Sequence, residues 1–359
     1  MQQIATHVRR AGGALHKSDL VALGATDRML TAAVRGGFVH RARRGWYTTF
    51  EPGDARHEAV RIGGRLTGSS LLALLGAWMW ATPPVTVVVP PRASRLRDRR
   101  GARVLWRFDG RIPPRRVPTG DGGHPAPDLT EHALEDAGRS AWAVPLRTAL
   151  VDAVVAAPLA EAVALLDWAL ASGLFSVVEL HAAFATAPSD VRGIVEWADA
   201  RSESFLESIM RATFVRLGHR VETQVRIGPG DRRRIDLVVD EVAAVELDGR
   251  QWHAGTFESD RMKDLAIVVS GRTALRASYE MVRDHRALIV QAVCSVLDAV
   301  PSRQRQRQLQ RRSRSSAETW LGRPARARSG RGRRPWHLAR PSARRPREAT
   351  VPPTSVGAP

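Results

Sequence analysis

Three acids set inside two strand-like runs constrain this chain more than any other feature. Residues 234–239 read Arg-Ile-Asp-Leu-Val-Val, and residues 242–248 read Val-Ala-Ala-Val-Glu-Leu-Asp. Short apolar runs joined by Asp240 and Glu241 predict two strands around a tight turn. A strand over 221–227 precedes them, followed by the turn Gly228-Pro229-Gly230-Asp231. Upstream, residues 203–217 predict an amphipathic helix, with Phe205, Leu206, Ile209, Met210, Thr213 and Phe214 on one side and Gly218 at its end. A further strand is expected over 273–278, then Tyr279 and a helix over 283–299. The segment thus reads as a helix followed by a β-meander.

Side chains alternate along a strand, so Glu246 and Asp248 share a face. Asp236 reaches that face from the neighbouring strand when the register suits. Carboxylates placed this way repel each other and resist leaving water unless a cation joins them. An all-oxygen cluster that keeps waters and meets a phosphate suits a hard divalent ion such as Mg2+. Gly249 permits a sharp exit and the close approach of a ligand. His253 is a candidate acid/base, and Glu207 on the preceding helix is a candidate carboxylate from a second direction. These are the ingredients of metal-assisted phosphodiester hydrolysis.

Residues 1–50 read as three short helices and a β-wing. The first helix covers 2–10 and ends at Gly12-Gly13. The second is capped by Ser18 and stops at Gly24. The third covers 28–35, with Thr26 or Asp27 as its cap, and stops at Gly36-Gly37. Two strands, 38–41 and 45–48, follow. This is the pattern of a winged helix-turn-helix. Arg28, Arg35, Arg41, Arg43 and Arg44 put positive charge on the third helix and the wing, where DNA phosphates would be met.

Residues 57–200 predict a middle α/β region. It has a helix over 69–80, strands over 85–89 and 104–108, a surface loop over 111–128, and helical stretches over 148–170 and 174–186. Asp152, Glu161 and Asp167 fall on a buried helical face there, and the Arg-rich stretch 92–103 reads as a solvated loop. Pro83-Pro84 interrupts the most apolar window, 71–89, so it reads as helix then strand and not as a membrane span. With no leader-like apolar segment at the N-terminus, a cytoplasmic protein that avoids membranes is expected.

Residues 301–359 carry +14 of the formal net charge of +19, in a low-complexity run of Arg, Ser, Pro and Gln that is expected to be disordered. The first 300 residues are therefore nearly balanced, and charge alone does not make them a nucleic-acid binder. Only Lys17 and Lys263 are lysine. The single cysteine, Cys294, excludes an intramolecular disulfide and a Cys-cluster zinc site.

Two resemblances sharpen this reading. Leu20-x-x-Leu23-Gly24-Ala25-Thr26, Val34-Arg35-Gly36-Gly37-Phe38 and Arg43-Arg44-Gly45-Trp46-Tyr47 resemble the N-terminal domain of AbiEi-type antitoxins. That resemblance implies a winged helix used in transcriptional autoregulation, and a toxin–antitoxin partner. Ser204-x-x-Glu207, Arg234-Ile235-Asp236-Leu237, Val245-Glu246-Leu247-Asp248-Gly249-x-x-x-His253 and Asp260-Arg261-x-x-Asp264 resemble, in that order, the endonuclease-like domain of unknown function family 559. That family is similar to the very-short-patch-repair endonucleases of the PD-(D/E)XK superfamily.

The second resemblance implies Mg2+ or Mn2+ on Asp236 and Glu246. Glu207 would bind or orient a metal water, and His253 would assist proton transfer. Asp248 stands where the superfamily's usual lysine would be, which leaves the general base open between candidates. Arg261 either pairs with Asp264 or touches a phosphate. The expected whole is an α+β protein: winged helix (1–50), middle α/β region (57–200), restriction-endonuclease-like domain (201–300) and basic tail (301–359). Its expected partner is DNA, with a homodimer as the expected assembly where the chain self-associates. The rival expectation is a non-enzymatic DNA-binding regulator of antitoxin type with an inactive nuclease-like domain.

Overall fold

The computed structural model describes residues 1–94, 96–107, 141–228, 231–249 and 257–299. His253, the 111–128 loop and the 301–359 tail lie outside the described residues.

The N-terminal segment runs α1 (Gln2–Arg10), β1 (Ala14–His16), α2 (Lys17–Ala22), α3 (Asp27–Arg35), β2 (His40–Arg43) and β3 (Trp46–Thr48). The strands form an antiparallel sheet in the order β1-β3-β2. Strand β1 was not expected. It pairs Leu15 with Tyr47 and ties the β2–β3 hairpin back to the segment after the first helix. The cap of α2 is not Ser18 but His16, whose Nδ1 accepts the Ser18 N–H at 3.2 Å. Thr26 caps α3 through the Met29 N–H. Gly24, at φ +89°, closes α2 while the Ala25 N–H reaches back to the Leu20 carbonyl, a left-handed stop that glycine adopts at little cost. Ile4, Val8, Leu20, Leu30, Val39 and Tyr47 make a small core of their own.

The middle region continues with α4 (Ala55–Ile62), β4 (Arg65–Leu66), α5 (Gly68–Ala73), β5 (Thr86–Val89) and β6 (Arg103–Trp106). Strand β4 runs antiparallel to β5, and β5 parallel to β6. Four helices follow: α6 (Leu146–Ala156), α7 (Leu159–Ala171), α8 (Val177–Phe184) and α9 (Ser189–Ile194). The helix expected over 69–80 is one and a half turns, ending near Leu74. The stretch 148–170 is two helices, because Pro158 forces extended backbone on itself and on Ala157 before α7 begins. The buried carboxylate of Asp152 is held by Arg107 and Thr67.

The third segment is α10 (Phe205–Arg216), β7 (Val221–Arg226), β8 (Arg234–Val239), β9 (Ala243–Asp248), α11 (Phe257–Val269), β10 (Thr273–Ser278), α12 (Tyr279–Asp284) and α13 (Arg286–Ala299). Its sheet order is β10-β9-β8-β7, antiparallel except for the β9–β10 pair, which is parallel across the α11 crossover. Asp240 and Glu241 both have positive φ, as a type I′ hairpin turn requires. Leu237, Val239 and Val245 share a core with Leu206, Ile209 and Phe214 of α10 and Val293 of α13. Val238 and Ala244 share a separate core with Ile267 of α11. The helix expected over 283–299 is divided at His285 into α12 and α13.

The architecture is thus mixed α+β, with three small sheets. Residues Met1–Gln304 cluster as one compact unit. Within it, the Trp142 indole donates to the Gly12 carbonyl at 2.6 Å, and Arg211 of α10 reaches Asp167 of α7 at 2.7 Å. No helix among the described residues is long and apolar enough to cross a membrane.

Candidate functional site

The hairpin turn sets the register, and the register builds the site. Leu237 pairs with Val245, so one step further Asp236 stands opposite Glu246. On β7, Thr223 pairs with Leu237 and Val225 with Ile235, which puts Gln224 opposite Asp236. On β10, Arg276 pairs with Glu246. A row of four polar residues, Gln224, Asp236, Glu246 and Arg276, therefore crosses all four strands on one face.

Each member of the row is held. Asp236 Oδ2 accepts the Leu247 backbone N–H at 2.8 Å, so its carboxylate is drawn onto the neighbouring strand. Burial raises its pKa, with the Asp248 charge adding and the Leu247 N–H and Lys263 opposing. Glu246 is 4% exposed. Its Oε2 accepts from the Lys263 ammonium of α11, while its Oε1 is buried with no hydrogen-bond partner among the described residues. Burial, then the charge of Asp236, pushes Glu246 up to about 7 against the pull of Lys263.

Glu207 joins from the start of α10, where Ser204 caps the helix by accepting the Glu207 N–H. Its Oε2 accepts the Glu203 N–H at 3.0 Å and the Gln224 amide at 2.9 Å. Burial raises its pKa, and Asp236 raises it further. The register sets Asp236 beside Glu246, and the charge of Asp236 acts on both Glu246 and Glu207. Of the four residues expected to converge, His253 lies outside the described residues, and the three acids do not group so as to hold an ion.

Asp248 shares the face but has a different employment. Arg276 binds it at 3.1 Å and also reaches Asp264 at 3.2 Å and Asp260 at 3.5 Å. One guanidinium gathers three carboxylates from β9 and α11. Asp264, expected beside Arg261 or free of it, is held by this guanidinium.

Three residues at this face, Lys263, Arg276 and Gln224, were not foreseen. Lys263 brings an ammonium to Glu246 from α11, fifteen residues beyond Asp248. The available signal was its identity, one of two lysines in a chain of 55 basic residues. Arg276 arrives on β10. Gln224 is the third. It has φ +55° inside a strand, a conformation that costs a non-glycine residue about 1–3 kcal/mol. Among the described residues no other strand interior carries such a φ.

The donor set fits a hard cation in part. Glu246 Oε1 is a buried carboxyl oxygen with no hydrogen-bond partner among the described residues, and Asp236 adds a second carboxylate. Among the described residues, no three His, Cys, Asp or Glu side chains are grouped so as to hold an ion unaided. Asp236 and Glu246 would therefore provide two ligands and leave the remaining positions to water and a phosphate oxygen, as Mg2+ commonly requires.

At the N-terminal segment, Arg28 and Arg35 lie exposed on α3 and flank a shallow groove with Thr31, and Arg41 and Arg44 are exposed at the β2–β3 hairpin. Arg43 departs from the expectation. It is half-buried, its guanidinium lies against Gly63 and 5.4 Å from the Trp46 ring centre, and burial lowers its pKa. No protein-family model, curated protein or solved structure matches the chain.

Proposed function

We propose that this chain is a divalent-metal-dependent DNA endonuclease, brought to DNA by its N-terminal winged segment. The observation that carries the reading is the Asp236–Glu246 pair with its partnerless buried Oε1 and the Lys263 ammonium on the other oxygen. Asp236 and Glu246 hold Mg2+ or Mn2+. The bound ion supplies an acidified water and neutralises charge developing on the phosphate. The Leu247 N–H fixes the orientation of Asp236. Lys263 fixes Glu246 through Oε2, which leaves Oε1 as the ligand atom, and its remaining protons serve a water or a phosphate oxygen. Glu207, held by Gln224, orients a water on the other side of Asp236. Arg28, Arg35, Arg41 and Arg44 meet the phosphates that position the duplex.

The purified full-length chain is expected to nick or linearise plasmid DNA with Mg2+ or Mn2+, and Asp236→Ala to abolish it. A second reading, a DNA-binding regulator with an inert nuclease-like segment, is favoured by the absence of a third acid grouped with the pair among the described residues. Failure of every divalent ion to support cleavage of any DNA form, with DNA binding intact, would install that reading in place of the first.

A further inference from the structure

The arginine loop between β5 and β6 was expected to be a solvated surface, yet it is anchored. The Arg61 guanidinium donates to the Asp98 carbonyl at 2.8 Å, and the Arg97 N–H points to the Ile62 carbonyl at 3.4 Å. Leu96 packs at Gly63, the same glycine that the Arg43 guanidinium covers. Gly63 sits at φ +102°, and any side chain there would displace Arg43. The wing and the loop therefore meet at one point, with Arg43 as the bridging residue instead of an outward contact.

Around that point, Arg92, Arg97, Arg99 and Arg103 are exposed. Among the described residues, the loop's own acid, Asp98, pairs with Arg100 at 3.9 Å, and no acid pairs with Arg92, Arg97 or Arg99. Trp106 is 45% exposed, although it closes a strand, and the Arg99 guanidinium lies 5.9 Å from its ring centre. Ala93, Leu96, Arg97, Asp98 and Arg99 line a shallow cleft beside the ring. A half-exposed indole among guanidinium groups that, among the described residues, have no acid partner is the chemistry that tracks a phosphate backbone and stacks an unpaired base.

We infer that residues 92–94 and 96–103, with Trp106, form a second DNA contact, continuous with the wing, that takes a single-stranded extension or an unpaired base next to the duplex. This rests on the DNA reading above but assigns a surface that reading does not use. Arg41 and Arg44 take duplex phosphates, the loop arginines take the strand that leaves the duplex, and Trp106 stacks its first free base.

The test uses the full chain and a labelled duplex, either blunt or carrying a single-stranded extension, with affinity followed from about 50 to about 200 mM salt. The combined variant Arg92→Gln/Arg97→Gln/Arg99→Gln is expected to reduce the log–log salt slope on the extended duplex by about 2–3. Trp106→Ala is expected to lower affinity for the extended duplex about tenfold and leave the blunt duplex unchanged. A charge-matched variant, Arg147→Gln/Arg192→Gln/Arg216→Gln, controls for net charge, and thermal melting controls for folding. The inference is overturned if the loop variant matches the wild type or the control, or if Trp106→Ala weakens both duplexes equally. Retained binding and cleavage in that event would leave the endonuclease reading standing. A wild-type chain that neither binds nor cuts DNA would remove both.

Discussion

Two buried carboxylates in this molecule are handled in opposite ways. Asp167, at the junction of α7 and α10, is 0% exposed, and Glu246, in the sheet, is 4% exposed. Burial raises the pKa of both. Asp167 is nevertheless complete. Its Oδ1 accepts the Asp199 N–H at 2.7 Å and Arg211 at 2.9 Å, and its Oδ2 accepts Arg211 at 2.7 Å. Asp199 is in turn bound by Thr223 of β7 at 3.0 Å, so the junction network reaches the sheet, although the Arg211 Nε in it is buried without a partner among the described residues. Glu246 has one oxygen satisfied and one left empty-handed. A shifted pKa therefore does not separate a brace from a site. The count of satisfied oxygens does, because an unpaired buried carboxylate oxygen is costly unless a further group is meant to occupy it.

That contrast is most exposed to failure at the level of rate. Asp236→Ala should lower cleavage at least a thousandfold, about 4 kcal/mol of transition-state stabilisation, whereas Asp167→Asn should leave the rate per folded molecule near wild type. Equal losses in a plasmid-nicking assay would erase the distinction. Stability should show the reverse order. Asp167→Asn leaves Arg211 buried without its counter-charge and should cost about 3 kcal/mol in urea unfolding, while Asp236→Asn should be neutral or stabilising without metal.

A smaller effect concerns pH. The folded value of Glu246 is about 7, above its ordinary value, so the folded state binds this proton more tightly than the unfolded state does. Its contribution to stability is therefore full below about pH 4 and is lost as pH rises through 7. In the presence of a chelator, Glu246→Gln should stabilise the protein by about 3 kcal/mol at pH 8 and by nothing at pH 4. A pH-independent difference would mean that Glu246 is already satisfied. The smallest expected effect is at Gln224. Gln224→Gly should relieve the positive φ and add about 1 kcal/mol of stability, while removal of the amide that holds Glu207 lowers cleavage. Loss of stability in this variant would show that the strain is not stored there.

The meander was legible because it is local. Alternation in 234–239 and 242–248, and two polar residues between them, specify the hairpin, and the hairpin alone brings Asp236 beside Glu246. Glu207 was legible as a carboxylate on the helix preceding the meander, but the Ser204 cap that fixes where α10 begins was not read from the sequence. Lys263 was hidden because α11 does not look like a core helix. Met262, Leu265, Val268 and Val269 face outward, so its apolar pattern does not announce which side meets the sheet. Arg276 was hidden because a parallel crossover, not a turn, brings β10 to β9, and nothing in residues 273–278 states that pairing. Gln224 was hidden because nothing in residues 221–226 signals a positive φ inside a strand or a partner as distant as Glu207. At the other end, Pro158 was there to be read, and it splits a pattern whose periodicity alone suggested a single helix.

Calorimetric titration of the metal-free protein with Mn2+ tests the central claim most directly. The account predicts saturable binding by the wild type and by Asp167→Asn, and loss of that binding in both Asp236→Asn and Glu246→Gln. Absence of binding by the wild type, or binding that survives both substitutions, would contradict it.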